Sequence, residues 1–343
     1  MKGRLVFNDG TIMEGDSFGY EKSIAGEIAF STSMMGYVES LTDPSYRGQI
    51  LTLSYPLIGS YGVPEKKYWE SDKIQISGLI VSQYINTPSH FQNTQTLSQW
   101  LINEQIPALE IADTRFIVKK IRDEGATLTK IEFETKIEFM DPNKENLVVQ
   151  VSTAAVTTYG KGKKTIVLID CGVKENIIRE LVKRNVKVVR VPWDYDFIRE
   201  GIQCDGILVS NGPGDPKMAD KTIAIVKKAL AQKIPLFGIC LGNQILALAS
   251  GGDTYKLAFG HRGQNQPCEL VGSNKCYITT QNHGFAIGKI PSGFKSWFIN
   301  GNDATNEGII HKTLPFMSVQ FHPEAAPGPV DTTWLFDYFL SKI

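Results

Sequence analysis

The sequence predicts an α/β fold class, in which a strand-rich, mixed α+β N-terminal domain precedes a C-terminal doubly wound, mostly parallel sheet with helices on both faces. The chain has 343 residues, which suits two domains of ordinary size. Short β-type runs separated by turn residues occupy the first half, whereas apolar runs alternate with helical stretches in the second. We therefore predict domains at 1–151 and 165–343, joined by a linker at 152–164.

The predicted C-terminal domain shows the alternation that is typical of βαβ units. Its predicted strands and helices alternate over residues 165–170, 175–184, 186–191, 206–210, 221–231 and 234–239. In a doubly wound sheet, ligands bind at the carboxyl ends of the parallel strands. We therefore expect the functional residues of this domain to follow its strands directly.

The N-terminal domain and the linker are predicted from local composition. Residues 4–7, 74–81 and 116–121 read as β-type runs, and one helix is expected at about 94–104. Turn chemistry is clear in T-D-P-S-Y at 42–46, where Asp and Pro favour a tight loop. The segment 152–164 is small, polar and basic without periodicity, which indicates a boundary.

Composition excludes several classes of function. The 36 basic residues balance 36 acidic ones, so neither nucleic acid nor an anionic membrane is an expected partner. Five cysteines without a C-x-x-C pair favour a reducing compartment, and no metal site is predicted. Residues 1–10 lack a signal-peptide pattern, and the apolar stretch 234–249 is shorter than the roughly 20 residues of a membrane span. A cytoplasmic location is expected.

A G-x-C-x-G motif marks Cys240 as a candidate nucleophile. Gly238 and Gly242 flank Cys240 where a predicted strand passes into a predicted helix. The same spacing occurs in nucleophile elbows, where a sharp turn exposes the nucleophile and glycines allow close packing. A helix N-terminus also favours a thiolate over a thiol. The alternative is that Cys240 is a small buried hydrophobic residue.

A histidine and a carboxylate follow another predicted strand. Residues 317–321 deliver His322, and Glu324 lies two residues further on. A histidine can accept a thiol proton and later protonate a leaving group, while a carboxylate orients the ring. A hydrogen-bonded structural role for His322 is the alternative.

Two further segments offer groups for a polar substrate. The loop S-N-G-P-G-D-P at 210–216 follows a predicted strand, and Gly212 and Gly214 would allow backbone N–H groups to approach an oxyanion. A plain turn is the alternative for this loop. The segment T-T-Q-N-H-G-F at 279–285 could present amide and backbone groups.

The motifs G-I-C-L-G-N-Q, N-G-P-G-D-P and F-H-P-E together resemble the class I, or triad, glutamine amidotransferases. The segments Q-N-H-G-F at 281–285 and L-T-D-P-S-Y at 41–46 further resemble the small, glutamine-hydrolysing subunits of carbamoyl-phosphate synthetases. The resemblance covers nearly the whole chain.

This resemblance implies that Cys240 attacks the side-chain amide of L-glutamine to form a γ-glutamyl thioester, with His322 as acid and base and Glu324 orienting it. It implies no cofactor on this chain. The ammonia would pass through a tunnel to a large-subunit partner that uses ATP, Mg and bicarbonate to make carbamoyl phosphate. The glutamine-binding residues that it implies are Ser45, Gly212, Gly214, Leu241, Gln244, Asn282, Gly284 and Phe285.

Two departures from the family pattern leave alternatives open. Asn243 stands where the family usually has histidine, and Arg47-Gly48-Gln49 replaces its S-R-Q. Asparagine cannot titrate near neutrality, so a proton-handling role at position 243 is in doubt. The alternatives are an amidotransferase component for GMP, anthranilate or aminodeoxychorismate synthesis, and a non-catalytic, glutamine-binding regulatory subunit. The product could serve pyrimidine or arginine synthesis.

Overall fold

The computed structural model describes residues 1–343, and the chain divides into two compact units, Met1–Glu145 and Asn146–Ile343. The division therefore falls a few residues before the predicted end of the first domain at residue 151. Residues 152–164, predicted as an irregular linker, contain a strand, Thr157–Tyr159, that joins the sheet of the second unit. Its Thr-Thr-Tyr sequence has high β-propensity.

Seven strands of the N-terminal unit form a closed barrel in the order β1-β2-β6-β5-β4-β3-β7. Pairing of β7 with β1 completes the barrel, so the sheet has no open edge. A strand-rich, mixed α+β unit is thereby confirmed. Its strands and helices are β1 (Lys2–Phe7), β2 (Ile12–Ser17), β3 (Ile24–Ser31), α1 (Tyr37–Thr42), β4 (Gln49–Ile58), β5 (Gly78–Tyr84), α2 (Leu97–Asn103), β6 (Ala108–Glu110), α3 (Thr114–Glu124) and β7 (Leu128–Glu132).

The prediction of a β-type run at 116–121 is wrong, because these residues lie within α3. The Asp113 side chain accepts a hydrogen bond from the Phe116 N–H at 2.9 Å and so caps the start of the helix. Ile117 and Ile121 are both buried, and their spacing of four places them on one helical face. Capping and helical periodicity outweigh the β-propensity of the local sequence.

The C-terminal unit contains one ten-stranded sheet in the order β14-β13-β15-β16-β17-β12-β11-β9-β10-β8. None of the seven α-helices in the chain has the length and apolar character that a membrane-spanning helix requires. The elements of this unit are β8 (Thr157–Tyr159), β9 (Lys164–Asp170), α4 (Glu175–Lys183), β10 (Val186–Pro192), β11 (Gly206–Val209), α5 (Asp220–Ala231), β12 (Leu236–Ile239), α6 (Leu241–Ala249), β13 (Asp253–Leu270), β14 (Cys276–Lys289), β15 (Phe294–Asn300), β16 (Asn306–His311), β17 (Phe316–Val319) and α7 (Trp334–Leu340).

Five adjacent strands in the middle of this sheet, β17, β12, β11, β9 and β10, are parallel. Their alternate residues enter two hydrophobic cores. Val167 and Ile169 pack with α5 and α6, whereas Ile166 and Leu168 pack with α4 and α7. Each fully buried side chain of this size contributes about 1.5–3 kcal/mol. Helices thus cover both faces, which confirms the doubly wound fold; antiparallel strands extend the sheet on both sides.

The parallel strands position the candidate site. Because β17, β12, β11 and β9 are adjacent and run in the same direction, the residues that follow them lie at the same edge of the sheet. Cys240 follows β12, and His322 lies three residues beyond the end of β17. The loop that contains Gly212 follows β11. The edge predicted to carry the chemistry therefore collects residues from at least three sequence motifs.

Candidate active site

Cys240 occupies a strained turn between β12 and α6. Its φ of 54° and ψ of −102° are values that a residue with a Cβ rarely adopts. The Cys240 N–H donates to the Val319 carbonyl oxygen at 2.8 Å, which ties the turn to β17. Leu241 begins α6, so its N–H has no acceptor within the helix. The thiol therefore lies at a helix N-terminus beside an available backbone donor.

The two flanking glycines are required by close backbone packing. A Cβ on Gly238 would lie 2.4 Å from the Gly242 carbonyl oxygen, and a Cβ on Gly242 would lie 2.1 Å from the Val209 carbonyl oxygen. Both separations are far below van der Waals contact. The G-x-C-x-G spacing thus lets the turn fold on itself and against β11.

His322 is oriented by Glu324. The ring Nδ1 lies 2.7 Å from Glu324 Oε1, and both side chains are buried. Nε2 makes no hydrogen bond of conventional geometry, and it lies close enough to the Cys240 sulfur to interact with it. Burial opposes protonation of His322, but the Glu324 carboxylate and then Cys240 outweigh it and raise the pKa of the imidazole. The Glu324 carboxylate, the His322 imidazole and the Cys240 thiol therefore follow one another in space.

Lys174 completes this arrangement, and sequence reasoning missed it. Its Nζ lies 3.0 Å from Glu324 Oε1 and donates to the Ala325 carbonyl oxygen at 2.6 Å. Burial alone would raise the pKa of Glu324, but Lys174 and then His322 lower it to about 2. The available signal was a lysine between a predicted strand and a predicted helix, which is a common and weak pattern.

Asn243 is a buried connector rather than a group that faces solvent. Its Oδ1 accepts from Ser318 Oγ at 2.8 Å, and its Nδ2 donates to Gln320 Oε1 at 3.0 Å. Both partners lie on the segment that leads from β17 to His322. Asn243 therefore links the first turn of α6 to the polypeptide that carries the imidazole, a role that needs no titration.

Four of the residues assigned to glutamine lie on α6 and β14, on either side of the thiol. Gln244 Nε2 donates to the Phe285 carbonyl oxygen at 2.8 Å and to Gln320 Oε1 at 3.0 Å. The Cys240 Sγ lies 3.7 Å from the Asn282 carbonyl oxygen. Gly284 lies between Asn282 and Phe285 on β14. The Q-N-H-G-F segment thus runs beside the first turn of α6.

The remaining assigned residues differ in their surroundings. A Cβ on Gly212 would lie 2.8 Å from a Leu241 methyl group, so this loop packs against the start of α6. Gly214 has a φ of 81°, and its neighbours are atoms of Leu147. Ser45 belongs to the N-terminal unit, where its N–H donates to Asp43 Oδ1 at 2.9 Å. Roles for all of the assigned residues in glutamine binding stay predictions.

His283 shapes the same segment from within. Its Nδ1 lies 2.9 Å from the Phe285 carbonyl oxygen, and the ring is buried. Burial, followed by the neighbouring His261, keeps the pKa of His283 well below its ordinary value. The ring is therefore neutral near pH 7 and donates from Nδ1 to the carbonyl.

The fold and the Cys-His-Glu constellation define a thiol-dependent amidotransferase type of site. Residues 167–342 match the family model described as glutamine amidotransferase class-I, and the chain belongs to this family. Residues 5–131 match the model described as carbamoyl-phosphate synthase small chain, CPSase domain. Both resemblances expected from the motifs are confirmed.

Relatives match along the entire chain. It is 49% identical to a Homo sapiens protein named carbamoyl-phosphate synthase (ammonia), mitochondrial, over 99% of this chain and 23% of that protein. A protein of the same name from Aquarana catesbeiana is 50% identical over 99% of this chain and 24% of its own length. Multifunctional protein pyr1-3 of Dictyostelium discoideum is 48% identical over 100% of this chain and 17% of its own length. The chain thus spans about a quarter or less of these relatives.

Proposed function

We propose that this chain hydrolyses L-glutamine to glutamate and ammonia, and that the ammonia supplies a carbamoyl-phosphate synthase. The observation that carries the proposal is the buried array in which Glu324 lies 2.7 Å from His322 and the imidazole in turn faces Cys240. Such an array can activate a thiol for acyl transfer. A structural cysteine needs neither the strained φ of 54° nor a facing imidazole.

The proposed reaction proceeds in two steps. The Cys240 sulfur attacks the side-chain amide carbon of glutamine, and its proton passes through His322 Nε2 to the nitrogen, which leaves as ammonia. Water then adds to the γ-glutamyl thioester and releases glutamate and the free thiol. In this proposal the Leu241 N–H, at the start of α6 with Gly212 beside it, stabilises the oxyanion of each tetrahedral intermediate.

Lys174 and Glu324 support the acid–base role of His322. Glu324 fixes the tautomer of the ring, so that Nε2 exchanges the proton with the substrate. Lys174 keeps Glu324 ionised inside the core, and the carboxylate favours the imidazolium that protonates the leaving nitrogen.

A large synthetase component is the proposed consumer of the ammonia. The match of residues 5–131 to the small-chain domain supports this assignment over amidotransferases for GMP, anthranilate or aminodeoxychorismate, which ordinarily lack such a domain. ATP, Mg and bicarbonate would be used by that component, which could be a separate subunit or part of a longer chain. A cytoplasmic location stays a prediction from the sequence.

The competing function is an ammonia-dependent enzyme in which this domain binds glutamine, or nothing, without turnover. The names of two relatives specify ammonia, which is the observation that favours it. The intact Cys240 array favours glutamine.

The deciding experiment treats the protein with 6-diazo-5-oxo-norleucine, an electrophilic glutamine analogue, and maps the adduct by mass spectrometry. We expect modification of Cys240 that excess glutamine prevents, with the buried Cys171 unmodified as an internal control. An absence of any adduct on Cys240 would contradict glutamine hydrolysis.

A second measurement tests the pathway. With the synthetase component present, Cys240→Ser should abolish carbamoyl phosphate formation from glutamine and preserve formation from ammonia. Loss of both activities together would contradict the division of roles.

A further inference from the structure

A second cluster of buried ionisable side chains lies on the antiparallel part of the C-terminal sheet. His261 of β13 is the direct cross-strand neighbour of His283 of β14, and their rings meet edge to face with centroids 4.9 Å apart. Glu307 of β16 approaches both rings. All three residues are at least nine-tenths buried, and Glu307 is completely so.

The hydrogen bonds of the two rings turn one nitrogen of each toward Glu307. His283 Nδ1 donates to the Phe285 carbonyl oxygen, so Nε2 is the nitrogen on the side of Glu307; it lies 3.3 Å from Gln281 Oε1 and 3.8 Å from Glu307 Oε1. His261 Nε2 lies 2.9 Å from Asp303 Oδ2, and its Nδ1 lies 3.2 Å from Glu307 Oε1. Two ring nitrogens and a carboxylate thus converge on one point.

The hydrogen bonds on the far side of each ring, at His261 Nε2 and His283 Nδ1, are of the kind found around histidine metal ligands. Such ligands usually donate their second ring N–H to a carboxylate or a backbone carbonyl. Here Asp303 supplies the carboxylate for His261, and Phe285 supplies the carbonyl for His283. One buried histidine with such a hydrogen bond is common. Two such histidines that converge on the same carboxylate form a preorganised binding site.

The distances also suit a metal ion. One ligand atom from each of the three residues lies within 4.8 Å of the others. Two atoms that each lie about 2.1 Å from zinc are roughly 3.4 Å apart in a tetrahedron, close to the 3.2 and 3.8 Å measured to Glu307 Oε1. The two ring nitrogens, which lie within 4.8 Å of each other, would move closer together to bind one ion.

The buried charge of Glu307 calls for a cation. Glu307 Oε1 contacts the histidines and accepts from Asn300 Nδ2 at 3.2 Å, while the buried Oε2 has no hydrogen-bond partner. A buried carboxylate is strongly destabilising unless a counter-charge compensates it. A divalent ion would balance Glu307 and Asp303 together.

We propose that His261 Nδ1, His283 Nε2 and the Glu307 carboxylate bind a divalent transition metal, with zinc the ion best suited to this donor set. The site shares no ligand with the Cys240, His322 and Glu324 array and is structural. By joining β13, β14 and β16 it would fix the strand that carries Asn282. The inference does not depend on glutamine hydrolysis.

Metal analysis of the untagged protein tests the site. We expect about one equivalent of zinc per chain after purification with zinc present, by inductively coupled plasma mass spectrometry. After removal of metal by a chelator, zinc should raise the melting temperature, since it binds only the folded state. Cobalt should give the d–d absorption of a tetrahedral site.

Two variants separate ligation from folding. Glu307→Gln should abolish stoichiometric zinc binding, whereas Asp303→Asn, at a partly exposed residue, should weaken affinity about 10- to 100-fold. His90→Gln, at an exposed histidine of the N-terminal unit, is the matched control and should bind zinc normally. The proposal is overturned if the wild-type protein binds no stoichiometric metal and zinc leaves its melting temperature unchanged; a proton on His261 would then bridge Glu307 and Asp303.

Discussion

The C-terminal unit uses a buried histidine–glutamate pair twice, with opposite electrostatic results. His322 Nδ1 lies 2.7 Å from Glu324 Oε1, and His261 Nδ1 lies 3.2 Å from Glu307 Oε1. Burial acts to raise the pKa of both carboxyl groups. At Glu324 the opposing charges prevail and lower the pKa, whereas at Glu307 burial prevails over the hydrogen bond from His261 and the pKa is raised.

Lys174 accounts for most of this difference. Its ammonium group lies 3.0 Å from Glu324, whereas the groups around Glu307 are two histidines and an amide. The first pair therefore has a permanent counter-ion within the chain and can orient an acid–base histidine. The second pair has no lysine or arginine at this distance, and the Glu307 Oε2 has no hydrogen-bond partner. The same two residue types thus show opposite shifts in carboxyl pKa according to one additional cation.

The largest expected difference between the two clusters is in their effect on the rate of glutamine hydrolysis. His322→Asn removes the proposed acid–base group, so glutamine hydrolysis should fall about 10²- to 10⁴-fold. A coupled assay that monitors glutamate release measures this loss. His90→Asn, at an exposed position, is the control. Glu307→Gln should reduce hydrolysis much less. Equal losses in the His322 and Glu307 variants would contradict the separation of the two clusters.

The second prediction tests Lys174 directly. Lys174→Met leaves Glu324 buried beside an apolar side chain and should lower the free energy of unfolding by about 3–5 kcal/mol. The double variant Lys174→Met/Glu324→Gln removes both charges, so its loss should be smaller than the sum of the single losses. Urea unfolding of the four proteins gives the coupling. Additive losses would show that the ion pair does not act as a unit.

The sequence sufficed for the central architecture and for the tight turn at Cys240. Strong strand-to-helix alternation placed the parallel sheet, and the glycines around Cys240 signalled a tight turn because few other residues tolerate that packing. The sequence does not predict Lys174 or the His261 cluster, because their partners are distant in sequence and only the fold brings them together. The helix α3 was misread because its β-branched residues mask a helical face.

The third prediction concerns the connection between α6 and the strand that leads to His322. Asn243→Ala removes hydrogen bonds to Ser318 and Gln320 and leaves their polar groups buried, so stability should fall by about 1–3 kcal/mol. Because Asn243 does not titrate, the midpoints of the pH profile for glutamine hydrolysis should stay unchanged. Ser318→Ala, which removes only one of the two bonds, is the control and should cost less. A shifted pH profile would indicate that position 243 takes part in proton transfer.

The smallest expected effect is a pH dependence that distinguishes Glu324 from an ordinary carboxyl group. Its pKa is about 2 in the folded protein against an ordinary value of 4.5, so ionised Glu324 stabilises the fold above about pH 4.5, and this contribution is lost as the pH falls toward 2. His322 has the opposite sign, because its raised pKa favours the fold below 6.5 and that contribution disappears only in the alkaline range. The stability difference between the wild type and Glu324→Gln should therefore shrink between pH 5 and pH 3, as measured by urea unfolding. A difference that stays constant over this interval would mean that Lys174 does not hold Glu324 in its ionised form.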